Sequence, residues 1–157
     1  MQDGTPTIDR RLAALGLVLP GPYPPHDPLD AVVVHGGVAR TSGQLPRDLD
    51  GAITTGVLGA GLDVQDGVAA ARWCALNALS VLRAELGSLD RIERLLSVTG
   101  FVASAPGFDA QPAVVDGASR LLVDVLGPAG RHTRSAIGVA ALPRGGAVEI
   151  EVVAAVR

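Results

Sequence analysis

Between Asp63 and Gly87 the apolar residues Val68, Ala71, Ala75, Leu79, Leu82 and Leu86 recur three to four positions apart, the spacing of one face of an α-helix. Asp63 is a suitable N-cap and Gly87 a suitable stop, so the pattern predicts a helix of about six turns at 3.6 residues each. Such a helix has one apolar stripe and needs a partner surface to cover it. The rest of the chain must supply that surface.

The remaining periodicities supply a sheet and one more helix. AVVVHGGVARTSGQ, from Ala31, reads as two strands joined at Gly36 and Gly37, residues able to take the positive φ of a two-residue hairpin turn. Residues 92–104 read as a strand with an irregularity at Gly100. A second helix is expected from a cap at Asp109 through Val114, Ala118, Leu121 and Val125 to Gly127. RSAIGVAAL (134–142) and AVEIEVVAAV (147–156) alternate like strands and, with only Pro143–Gly146 between them, read as a second hairpin. The resulting order, ββαβαββ, suits an α+β fold: one mixed or antiparallel sheet with two helices on one face. The other face is left apolar and bare, which makes self-association a physical expectation.

Before this domain, expected over 31–157, stands a separate extension over 1–30. Ile8, Leu12 and Leu15 follow Thr7 at helical spacing and Gly16 ends them, predicting a short leading helix. PGPYPPHDP (20–28) holds five prolines, which remove backbone donors and enforce an extended surface linker. Residues 1–6 are expected to be mobile. Residues 45–62, rich in Gly and Asp, form a loop long enough to suspect a functional surface or subunit contact.

Composition narrows the function. A net charge of -3 with no lysine at all argues against a polyanion partner, because nucleic-acid binders cluster basic residues. No apolar run approaches a membrane span. The start of the chain lacks the order of a signal peptide, so a cytoplasmic protein is expected. His26, His35, His132 and Cys74 have no metal-ligand spacing. Cys74, in the middle of the long helix, reads as a small buried hydrophobe. Ser42 lacks the strand–G-x-S-x-G–helix setting of a nucleophile and reads as a strand-end turn residue.

Arg134 opens an apolar strand, where a guanidinium would project from a rigid element and could meet a carboxylate with two parallel bonds. An ion-paired arginine at a strand end is the plainer account of it. Glu149 and Glu151 share one face of the last strand, and on spacing alone that face is solvated.

TSGQLP (41–46), the helix ARWCALNALSVL (71–82), the strand ending GFV and above all RSAIGVAALPRGGAVEIE (134–151) resemble the Rid family of small imine and enamine deaminases, also called YjgF. The resemblance covers about residues 31–156, and Arg134, Pro143 and Glu149 meet its C-terminal pattern without a gap. It implies a chorismate-mutase-like fold, a homotrimer whose sheets face a central barrel, and sites in the clefts between subunits. The implied reaction is hydrolysis of 2-imino acids to 2-keto acids and ammonia without a cofactor. By position, Arg134 would hold the substrate carboxylate, Glu149 would orient or deprotonate the attacking water, and Ser42, Gly43 and Ala136 would contact the substrate. A cleft tyrosine of the shorter members falls at Leu29 here, so Tyr23 would take its place only if the linker folds back. A second reading is a non-catalytic module binding keto or amino acids in the same cleft. Ribonuclease action or translation inhibition, a third, is opposed by the acidic balance, the absence of lysine and the single Trp, single Tyr and two Phe.

Overall fold

The computed structural model describes residues 7–157, so the expectation for residues 1–6 lies outside the described residues. The elements run α1 (Ile8–Ala14), β1 (Val32–His35), β2 (Val38–Thr41), β3 (Val57–Leu58), β4 (Gly61–Leu62), α2 (Val64–Leu86), β5 (Ile92–Ala103), α3 (Gln111–Leu126), β6 (Thr133–Val139) and β7 (Val148–Val156). With the small parallel pair β3–β4 set aside, the order from β1 onward is the expected ββαβαββ, an α+β fold with a mixed sheet.

Local chemistry sets the ends of these elements. Thr7 caps α1 through the Arg10 amide. Asp63 and Asp66 form a reciprocal capping box at the start of α2, and Gly87, at φ 78°, ends it in the left-handed conformation that costs glycine little. Gly36 and Gly37, at φ 57° and 74°, close the β1–β2 hairpin as expected.

Three local expectations are corrected. Ala110, not Asp109, is the N-cap of α3 and offers no side-chain bond; the helix starts at Gln111 with Pro112 in its first turn, where a missing N–H does no harm. Gly100 pairs regularly within β5, whose irregularities lie between Ile92 and Arg94 and between Leu95 and Ser97. Its lack of a side chain instead makes room for Val115 of α3. Third, β6 and β7 do not form a hairpin. The sheet order is β1-β2-β7-β5-β6: β5 lies between them, parallel to β6 and antiparallel to β7. The crossover through α3 lays β6 parallel to β5, and the chain then passes to the far edge of β5.

Helices α2 and α3 cover one face of the sheet. Val98, Val102, Val148, Ile150, Val152 and Ala154 point into that core and are almost wholly buried. Alternation sends Phe101, Ile137, Glu149 and Glu151 to the other face, which no described element covers as the helices cover the first; Ile137 is 43% and Val33 52% exposed. Leu12 anchors α1 in the core, and the Ile8 amide donates to Asp90. From there the proline-rich segment crosses α2, where Ser80 donates to the Pro20 carbonyl, before entering β1. Among the described residues no helix is long and apolar enough to cross a membrane.

Candidate functional site

The segment leaving β2 is fixed against β7. Buried Thr41 accepts a bond from the Val152 amide (3.0 Å), and Gln44 exchanges both backbone bonds with Ile150 (2.9 and 3.0 Å). The Ser42 hydroxyl donates to the Asp30 carbonyl (2.6 Å), the turn-residue role expected of it. Between these ties lies Gly43. The Glu149 carboxylate occupies the space that a Cβ at position 43 would need, so the contact depends on glycine.

Glu149 is half-buried, and burial first, then the like charge of Glu151, raises its proton affinity above the ordinary carboxylate value. It forms one wall of a cleft of about 500 Å³ whose lining includes Tyr23, Ser42, Gly43, Arg47 and Arg144. Tyr23 arrives because the proline-rich linker does fold back; its ring packs against Gly51 and lies 4.9 Å from the Arg47 guanidinium. Leu29 borders the same cleft.

Arg134 is elsewhere. It pairs with Val98 on the helix-covered face, whereas Glu149 pairs with Phe101 on the opposite face, one strand further across the sheet. Its guanidinium donates to Asp116 (2.8 Å), Ser119 (3.2 Å) and the Pro112 carbonyl (3.3 Å) of α3. Ser119 also meets His132 Nε2 at 2.9 Å. The other ring nitrogen, 2.6 Å from the Gly130 carbonyl, must be the protonated one, since a carbonyl can only accept. With the ring neutral, Ser119 donates to His132 and accepts from Arg134. Ala136 lies on the same strand face as Arg134. One chain thus brings Ser42, Gly43 and Glu149 together and holds Arg134 and Ala136 apart from them, on β6 at the sheet edge.

The cleft contains two arginines that the sequence did not single out. Arg144 carries one local signal, a positive φ of 57° in a non-glycine residue. Arg47 carries none. Cys74 is fully buried, donates to the Val148 carbonyl (3.5 Å) and has its thiol proton affinity pushed up chiefly by burial, as suits an inert core residue. Among the described residues no cluster of His, Cys, Asp and Glu could hold a metal.

The model of the family described as "YjgF/chorismate_mutase-like, putative endoribonuclease" matches residues 9–154. The chain belongs to the YjgF, or Rid, family. This YjgF-family chain is 45% identical to protein TCP17 of Trypanosoma cruzi over 145 residues, covering 92% of this chain and 91% of that one. It superposes on the crystal structure of Atu1372 from Agrobacterium tumefaciens with a TM-score of 0.88 and 39% identity, covering 96% and 94% of the two chains. Escherichia coli TdcF, solved with bound serine, is more distant at a TM-score of 0.58 and 27% identity, covering 88% of this chain and 93% of TdcF.

Proposed function

We propose that this YjgF-family protein hydrolyses 2-imino acids, and the enamines in equilibrium with them, to 2-keto acids and ammonia without a cofactor. Its sites would lie in clefts completed by neighbouring subunits of a homotrimer. The observation carrying this reading is the Glu149 carboxylate, held against Gly43 at the wall of a polar cleft with a raised proton affinity. A base whose pKa is displaced toward neutrality can take a proton from an attacking water and later return it to the departing nitrogen, worth about 10²- to 10⁴-fold in rate. Ser42, Gly43 and Tyr23 bound the space beside it. Arg134 and Ala136, on edge strand β6, would enter from the adjacent subunit. Asp116, Ser119 and the Pro112 carbonyl fix the guanidinium plane and engage three of its five N–H donors, leaving two for a substrate carboxylate. The serine bound by TdcF is likewise a small molecule carrying a carboxylate.

The test is a coupled assay in which an amino-acid oxidase releases imines and keto-acid formation is followed against the uncatalysed rate. Arg134→Ala abolishes the acceleration with the assembly intact. Arg134→Lys fails nearly as badly, because one ammonium cannot reproduce two parallel bonds; the lost contact is worth about 1.5–3 kcal/mol. Wild-type protein that accelerates no imine but binds 2-keto acids through Arg134 would replace the enzyme by a binding module. Arg134-independent turnover and binding would reject the site.

A further inference from the structure

Arg47 and Arg144 stand 97 positions apart in sequence and border the same cleft as Glu149. Neither joins an ion pair among the described residues, where the pairs are Arg83–Asp9, Arg120–Asp116 and Arg134–Asp116. Arg47 is partly buried and lies over the Tyr23 ring, 4.9 Å from its centre. A guanidinium held over an aromatic ring is attracted by the ring's quadrupole, and among the described residues no conventional acceptor engages the side-chain N–H donors of Arg47. Buried Asn77 ties down the Arg47 carbonyl at 2.8 Å. The adjacent carboxylate, Asp48, is turned away into its own loop, accepting from the amides of Asp50 and Ala52 at 2.9 Å each.

Arg144 sits in the turn after Pro143 at φ 57° and ψ 20°, the one non-glycine residue with positive φ among the described residues. Glycine would adopt that conformation more easily, and glycines occupy the next two positions. The turn is also fastened to the loop carrying Arg47, through the Gly56 amide on the Gly145 carbonyl (3.1 Å) and the Ala147 amide on the Thr54 carbonyl (3.0 Å). Nor is the arginine charge spent on Glu149, whose proton affinity is set by burial and by Glu151 and is raised, not lowered.

We infer that Arg47 and Arg144, with Tyr23 behind them, form a second anion-binding subsite, and that the imino acids taken by this cleft are dicarboxylic, of the kind formed by oxidation of acidic amino acids. The inference rests on the assignment of Glu149 as the base. With the α-carboxylate on Arg134 of a neighbouring subunit and the imine carbon beside Glu149, the substrate side chain has the rest of the cleft to occupy. About 500 Å³ greatly exceeds what a three-carbon imino acid fills. Two guanidiniums without carboxylate partners match a second carboxylate there.

The full-length assembly tests this. Imines are generated from aspartate or glutamate and from alanine by amino-acid oxidases, and the ratio of kcat/KM for dicarboxylic over monocarboxylic imine is read. The wild type favours the dicarboxylic imine. The pair Arg47→Leu and Arg144→Gly, the latter relaxing its own turn, lowers the ratio by about 10- to 100-fold, and Arg47→Lys lowers it partway. An unchanged ratio in the double variant, or a wild-type preference for the monocarboxylic imine, overturns the subsite. If no imine is accelerated, the reading of Glu149 has failed and calorimetric binding decides the subsite alone. Tighter binding of 2-oxoglutarate than of 2-oxobutanoate that vanishes in the double variant supports it; equal affinities reject it.

Discussion

A carboxylate pressed against a glycine Cα exchanges water for protein on one side while Glu151 repels it from another, and the sign of both effects on Glu149 is the same. Folding therefore raises its pKa. The proton is held more tightly in the folded than in the unfolded chain, so stability is lost as pH rises through the interval between the two values. Above the folded pKa the ionised Glu149 opposes folding. Glu149→Gln is expected to raise the melting temperature at pH 7 to 8, with the gain disappearing as the pH falls below the ordinary carboxylate range. The same substitution removes turnover that, in the wild type, climbs with pH through the raised pKa to a plateau. Melting curves and rates across pH check both halves; a Gln variant that is less stable at pH 8 and equally active would remove Glu149 from the mechanism. On spacing alone Glu149 is one of two acids on a strand face, and in the sequence the role proposed for it comes only from the family resemblance. The bland account of Arg134, a strand-end arginine in an ion pair, describes its state within one chain, where its side chain is 22% exposed against Asp116. Arg47 and Arg144 were not legible, because no local pattern records that distant turns converge.

At the scale of elements, every segment with a sustained period was readable: α2 from its apolar stripe and caps, and the first hairpin from Gly36–Gly37. The second hairpin was misread because a short connector between alternating segments satisfies the hairpin pattern locally, and nothing in it reveals a third strand in between. Residues 140–147 bridge the strand ends, and eight residues can span about 26 Å, ample for crossing one intervening strand at roughly 5 Å per spacing. The cap of α3 was misplaced for a similar reason, since Asp109 fits the rule but Pro112 sets where the helix begins. Helix packing was legible only as a general expectation from small side chains. Its sharpest contact is Gly117, where a Cβ would meet the backbone of Val68 in α2, and backbone cannot swing aside as a side chain would. Gly117→Ala is expected to cost about 1–3 kcal/mol through overpacking and to lower the thermal midpoint by several degrees, although alanine is the better helix former. An unchanged or raised midpoint would show that the two helices separate freely.

For the whole molecule, the question is how groups on opposite faces of one sheet could serve one substrate. Within a chain they cannot meet: Glu149 faces away from the helices, Arg134 faces α3, and β5 stands between their strands. The proposed ring of identical subunits would resolve this without any change inside the chain, because a head-to-tail contact would set the β6 edge of one copy against the Glu149 cleft of the next and cover the apolar face that leaves Ile137 and Val33 exposed. That geometry gives an expectation distinct from trimer formation itself. Arg134→Ala and Glu149→Gln subunits, each inactive alone, should complement when co-assembled. A working site needs Glu149 from one copy and Arg134 from its neighbour, so random assembly at equal amounts leaves about one site in four intact. Co-expressed mixtures taken without selection should therefore show about a quarter of wild-type turnover, and mixed trimers selected through a tag on each parent about a third, while the separately purified variants mixed without subunit exchange show none. Sedimentation equilibrium should give a trimer for the mixture and for each parent. Failure of the co-assembled trimers to recover activity would mean that the site is not shared between subunits, and a stable monomer would leave the cleft with no source for its α-carboxylate arginine.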